Sequence, residues 1–214
     1  MEFDKLSARD YSEFYAAAKE NIFQPTGRAF YKQIFSMLGG EKEISPGNER
    51  REKWAWKEPN TQIYVREILN HFQGLKYIHV LRHGLDMAFS NNLQQLKNWG
   101  WKYGIKISKD DNQETLILKQ LDYWNATTKE ILQLKEEYND QIFIVNFGEL
   151  CMNPKRGVDH LLSFCDIEPS SDALEDIYEI PRFTPSINRY RRYDISRFSK
   201  DQLEIIKAMG FPID

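Results

Sequence analysis

Apolar residues recur at helical spacing in the long segments of the chain and as unbroken runs in the short ones, and the two patterns alternate. Phe14, Tyr15 and Ala18 predict a helix over 8–21 with Ser7 as its cap. Phe30, Ile34, Phe35 and Leu38 predict a second over 27–38, closed by Gly39-Gly40. A charged stretch with Pro46-Gly47 predicts a loop over 41–52. Residues 53–57 (KWAWK) are a short strand candidate. A helix begins near Thr61 and carries Ile63, Val65, Ile68, Leu69 and Phe72 into Gly74.

Residues 76–81 (KYIHVL) read as a buried strand, and from Gly84 the pattern turns helical through Met87, Phe89 and Leu93. The longest helical pattern covers 112–138, with Leu121, Trp124, Ile131 and Leu134 on its stripe. Residues 141–146 (QIFIVN) form a second apolar strand, followed by helices over 154–165, 171–178 and 199–209. Strand–helix–strand–helix order with short joints predicts an α/β protein: a parallel sheet with right-handed crossovers, flanked by helices. No internal repeat or long linker divides the chain, so a single domain over 1–214 is expected.

Composition narrows the function. The 214 residues are 41% hydrophobic and 29% charged, which excludes disordered and low-complexity classes. Twenty-nine basic against 32 acidic residues give a net charge of −3, a poor match to bulk binding of nucleic acid. Any anion site must therefore be local. Cys151 and Cys165 form neither a disulfide framework nor a zinc pattern and are read as buried reduced thiols. The four histidines have no metal-site spacing, so no metal is expected. No apolar run approaches a membrane span, and the acidic N-terminus does not read as a signal peptide. A cytoplasmic protein is the default expectation. Trp99, Trp101 and Trp124 are assigned to the core or to pocket walls.

The segment 76–91 holds the most informative chemistry. Arg82 emerges at the carboxyl end of a strand, where open α/β sheets bind ligands, and Gly84 permits a tight turn into a helix. An arginine beside a helix start suits a phosphate, although a strand-end arginine also serves in surface ion pairs. Ser90 follows Arg82 by eight residues, read as two turns along the same helix, and Asp86 is assigned to supporting the first turn or orienting Arg82. Between Pro181 and Arg197 stand five arginines, Arg182, Arg189, Arg191, Arg192 and Arg197, against one acid, Asp194. They read either as an anion-facing loop or as a solvated face.

The Arg82…Ser90 pattern resembles the 3′-phosphate motif of sulfotransferases that use 3′-phosphoadenosine 5′-phosphosulfate (PAPS). Residues 54–59 (WAWKEP) look like that family's lysine-containing strand end, and 145–150 (VNFGEL) with 153–156 (NPKR) are similar to its later strand end and following helix. Residues 186–191 (SINRYR) resemble its basic cofactor-contacting loop. Together these four matches cover 53–197. The resemblance implies a helix-rich fold related to phosphate-loop nucleotide-binding proteins. It also implies transfer of a sulfuryl group from PAPS, as co-substrate, to the hydroxyl or amine of a small-molecule or glycan acceptor.

By resemblance, Arg82 and Ser90 hold the 3′-phosphate with Arg189 or Arg191 assisting, and Phe147 offers a stacking face. Lys57 stabilises the transferring group, and Glu58 is the nearest candidate base. From the residues alone, Lys57 also suits a lysine lying over two tryptophans, and Glu58 a first-turn carboxylate favoured by the helix dipole. The family's opening strand and glycine-rich 5′-phosphosulfate loop have no match here, the nearest fragment being 24–28 (QPTGR). Phe147 replaces the family's tyrosine, and Asn188 stands where related sequences often carry glycine. Two readings follow: a sulfotransferase, or a non-catalytic or shortened relative that binds a 3′-phosphoadenosine nucleotide or a protein partner. A sheet short of its first strand exposes edges, which adds pairing with another chain, a second copy included, as a third role.

Overall fold

A computed structural model describes Ala55, Lys57 and residues 59–72 and 74–213. The chain divides into two compact units, Met1–His71 and Phe72–Asp214. The expected helices over 8–21 and 27–38 and the loop over 41–52 lie outside the described residues. Of the expected strand over 53–57, only Ala55 and Lys57 are described, and neither is in a regular element. The first unit then carries a 3-10 turn, Thr61–Tyr64, that runs into helix α1, Val65–His71. The apolar stripe starts in the turn, at Ile63, and the helix buries Val65, Ile68 and Leu69 at the predicted helical spacing.

The second unit is built on two parallel strands, β1 (Tyr77–Leu81) and β2 (Ile142–Asn146). Among the described residues these two make the whole sheet. Their register pairs Tyr77 with Ile142 and Leu81 with Asn146, so both strands end at the same level. Helices α2 (Gly84–Ala88), α3 (Gln94–Trp99) and α4 (Gln113–Glu137) connect them, as a parallel pair requires. After β2 come α5 (Phe147–Met152), α6 (Pro154–Phe164), α7 (Ser171–Tyr178) and α8 (Lys200–Ala208). The protein is therefore a helix-rich α/β fold with a small parallel sheet, the class its pattern predicts.

Helix α4 organises the core. Asn112 caps it by accepting the Thr115 N–H at 2.8 Å, and α2 and α8 pack along it. Leu85, Leu121, Trp124, Tyr190 and Ile206 meet there, each at most 6% exposed. At α8 Ser199 and Gln202 form a capping box. The Gln202 side-chain amide then donates to the Asp122 carboxylate at 2.8 Å, and the Gln202 backbone carbonyl accepts from the Asn125 side-chain amide at 3.0 Å. Gln202 thus both caps its own helix and anchors it to α4.

Three local expectations change. The helix from Gly84 stops at Ala88 rather than running to Leu93, so Ser90 is not on it. Ser90 Oγ accepts the Asn92 N–H at 3.2 Å and Asn92 Oδ1 accepts the Gln94 N–H at 3.0 Å. Such local side-chain acceptors compete with helix continuation. Gln120 on α4 completes the stop by donating to the carbonyls of Ala88 and Ser90 at 3.0 and 2.7 Å. Second, β1 is buried on one face only: His79 and Leu81 point inward, while Ile78 and Val80 are 36% and 54% exposed. Third, Trp99 and Trp124 are core residues as expected, but Trp101 is 44% exposed. Neither Cys151, which is buried, nor Cys165, which is half-buried, is in a disulfide.

Candidate functional site

Because Leu81 and Asn146 are register partners, the residues that follow them, Arg82 and Phe147, leave the sheet side by side. The Arg82 guanidinium carbon lies 5.0 Å from the centre of the Phe147 ring, a cation–π contact. Its Nη2 donates to Ser186 Oγ, and Ser186 Oγ shares a 2.7 Å hydrogen bond with Thr184 Oγ1. The backbone behind it is held as firmly, since Trp124 Nε1 donates to the Arg82 carbonyl at 3.0 Å. Gly84 makes that approach possible. A Cβ there would sit 2.8 Å from the Trp124 ring.

His83 links the same turn to the C-terminal segment. Its Nδ1 accepts the Leu85 N–H at 3.1 Å and caps α2, and its Nε2 donates to the Pro212 carbonyl at 2.7 Å. That bonding assigns the neutral tautomer with the proton on Nε2. The ring stacks on Tyr190 at 4.4 Å, and the Tyr190 hydroxyl donates to the same Pro212 carbonyl at 3.1 Å.

The basic tail segment reaches the strand ends through backbone contacts. Asp86, 4% exposed, accepts the Asn188 N–H at 2.8 Å on one carboxylate oxygen and the Tyr190 N–H at 3.0 Å on the other. Its observed partners are thus the tail backbone. Asn188 has a φ of 60°, in the left-handed region that glycine and asparagine tolerate best. Asparagine at this position is therefore compatible with the backbone it adopts. Arg189–Arg192 then form a 3-10 turn whose Tyr190 is fully buried, with Arg189 half-buried and Arg191 exposed. Arg189 Nε donates to the Ser186 carbonyl at 3.4 Å, and the Arg191 guanidinium lies 6.0 Å from the Tyr190 ring.

Arg82 and Arg189 thus converge on Ser186, which takes one on its hydroxyl and the other on its carbonyl, and Phe147 joins them through the Arg82 guanidinium. The field of Arg82 also reaches Cys151. Burial pushes that thiol up, and the guanidinium pulls in the opposite direction. Ser90 is instead engaged where α2 ends, with Asn92 and Gln120. Lys57 belongs to the first unit and is exposed. Glu58 lies outside the described residues. Among the described residues no cluster of His, Cys, Asp or Glu is arranged to hold a metal ion, and no helix is long and apolar enough to cross a membrane.

The model of the sulfotransferase family matches residues 2–172. The chain belongs to the sulfotransferase family. No curated protein and no solved structure matches it. The family match spans β1, Arg82, Ser90, β2 and Phe147, and ends before Ser186, Arg189 and Arg191. In this sulfotransferase-family chain, tertiary contacts bring the later segment to the matched one. Sequence reasoning missed Ser186 as the meeting point and Asp86 as the tether. The signal for Asp86 was its place, one helical turn beyond the strand-end arginine.

Proposed function

We propose that the protein is a sulfotransferase whose strand-end site binds the 3′-phosphoadenosine portion of PAPS. PAPS supplies the activated sulfuryl group; the acceptor is a small molecule bearing a hydroxyl or amine. The observation that carries this reading is the meeting of Arg82 and Arg189 on Ser186, with the Arg82 guanidinium over Phe147, at the carboxyl ends of two parallel strands. A guanidinium has five N–H donors, and the bond to Ser186 leaves a fork suited to phosphate oxygens. The chain as a whole is net negative at −3, so a cationic site of this kind selects a small anion rather than a polyanion.

In this reading Arg82 and Arg189 bind the 3′-phosphate, with Arg191 and Ser90 at the periphery, and Phe147 holds the Arg82 guanidinium flat. Lys57 and Glu58 remain the proposed stabiliser of the transferring group and the proposed acceptor of the substrate's proton. The experiment is calorimetric titration with adenosine 3′,5′-bisphosphate, paired with transfer of labelled sulfate from PAPS across an acceptor panel. The wild type is expected to bind and Arg82→Ala to lose at least about tenfold in affinity, the scale of one charged hydrogen-bonding group. No binding by the wild type defeats the nucleotide reading. Binding without transfer to any acceptor supports the non-catalytic relative instead.

A further inference from the structure

We propose that Asp86 is a positioning residue for the nucleotide site: from the helix that follows Arg82, it sets the backbone of the 188–190 turn and so the placement of Arg189 and Arg191. The inference rests on the nucleotide reading above and adds to it a specific coupling between two distant parts of the sequence.

A carboxylate that is 4% exposed is costly to bury unless its oxygens are well used. Both are used here, and both on one turn: Asn188 N–H at 2.8 Å and Tyr190 N–H at 3.0 Å. Bonds from N–H to an ionised carboxylate are among the stronger ones, and two from alternate residues define an orientation as well as a position. The turn they grip is one that needs holding. Asn188 sits at a φ of 60°, a region uncommon for residues other than glycine. The three residues Asn188–Tyr190 place Arg189 between the two gripped amides, and Arg191 directly after them.

The tether also has a fixed base. Asp86 belongs to the turn-and-helix segment whose start is capped by His83 and backed by Trp124, through the Leu85 N–H and the Arg82 carbonyl at 3.1 and 3.0 Å. Arg82 and the tail arginines are therefore referenced to one rigid corner. Without the tether, Arg189 keeps its charge but loses its orientation toward the site, and precise anion recognition depends on such supporting contacts. Asp86→Asn is the informative change, since an amide retains one acceptor oxygen and presents an NH2 donor to the other N–H.

The test uses the full chain as wild type, Asp86→Asn and Val158→Ala. The last removes a side chain that is 4% exposed on α6, outside the site, and serves as a destabilised control. Adenosine 3′,5′-bisphosphate and adenosine 5′-monophosphate are titrated into each, and hydrogen exchange is followed at the Asn188 and Tyr190 amides. In Asp86→Asn the preference for the bisphosphate should fall about tenfold, the scale expected for a lost charged hydrogen bond, with the monophosphate nearly unchanged. The two amides should exchange faster while those of α8 do not, and Val158→Ala should keep the wild-type preference. An unchanged preference in Asp86→Asn, an equal loss in Val158→Ala, or unchanged exchange at the two amides overturns the proposal. A wild type that protects both amides yet binds neither nucleotide removes the nucleotide reading itself, and reduces Asp86 to a structural tether.

Discussion

The guanidinium of Arg82 lies 5.0 Å over the ring of Phe147, although 64 residues separate them in sequence. The contact follows from register: Leu81 and Asn146 are paired, so the next residue of each strand emerges at the same height. Replacing Phe147 by Ala should weaken adenosine 3′,5′-bisphosphate binding by about two- to fivefold, matching a cation–π contribution of about 0.5–1 kcal/mol at a partly exposed site. Phe147→Tyr keeps the ring and should bind within about twofold of the wild type, since the ring face supplies that contact. Titration calorimetry distinguishes the two, and equal affinity in Phe147→Ala would remove any binding role for the stacking.

Ser186 joins the two arginines, accepting from Arg82 on its hydroxyl and from Arg189 on its carbonyl. Ser186→Ala removes only the first of these. The expected result is a loss of about three- to tenfold in bisphosphate affinity, within the range of the net contribution of one hydrogen bond, with little change in melting temperature at this half-buried position. A variant that binds as well as the wild type would show that Arg82 needs no partner to hold its orientation.

Gly84 is packed under the Trp124 ring, and an added Cβ would approach it to 2.8 Å. Trp124 also donates to the Arg82 carbonyl, so it cannot move away without releasing the strand end. Gly84→Ala should therefore destabilise the fold by about 1–3 kcal/mol, the range for overpacking a core. Urea denaturation reads this as a lower midpoint, and an unchanged midpoint would mean that the ring moves freely.

His79 faces the interior from β1, and burial pushes its imidazole down to about 4 from the ordinary 6.5. In the unfolded chain the ring takes up a proton near pH 6.5, while in the folded protein it stays neutral until about pH 4. Stability from this residue is therefore complete above pH 6.5 and is lost as pH falls toward 4. The full difference is about 3 kcal/mol, at 1.36 kcal/mol per pH unit. Melts between pH 7.5 and 4.5 should show a falling stability that is shallower in His79→Leu; an identical slope in the two proteins would rule out this residue as its source.

Local pattern was enough to read most of the described elements. The α4 stripe was legible because its helix runs 25 residues, Gln113–Glu137, with an Asn cap at its start. Ser171–Tyr178 and the Ser199-capped last helix were equally plain. The end of α2 was not, since the apolar spacing continues through Phe89 and Leu93 while Gln120, on another helix, supplies the donors that stop it. The one-sided burial of β1 was hidden for the same reason: an unbroken apolar run looks identical whether or not both faces are covered.

From the sequence alone came the class of fold, the family, and the chemistry available: a strand-end arginine, an aromatic at the next strand end, and a basic tail segment. Those are properties of residue type, spacing and order. What only the tertiary structure decided is which of them meet. Parallel register put Arg82 on Phe147, Ser186 gathered two arginines, and Asp86 closed the turn between Asn188 and Tyr190. Hydrogen bonds between residues about a hundred positions apart leave no periodic trace in a sequence, because they depend on where the folded backbone brings a donor within 3 Å of an acceptor.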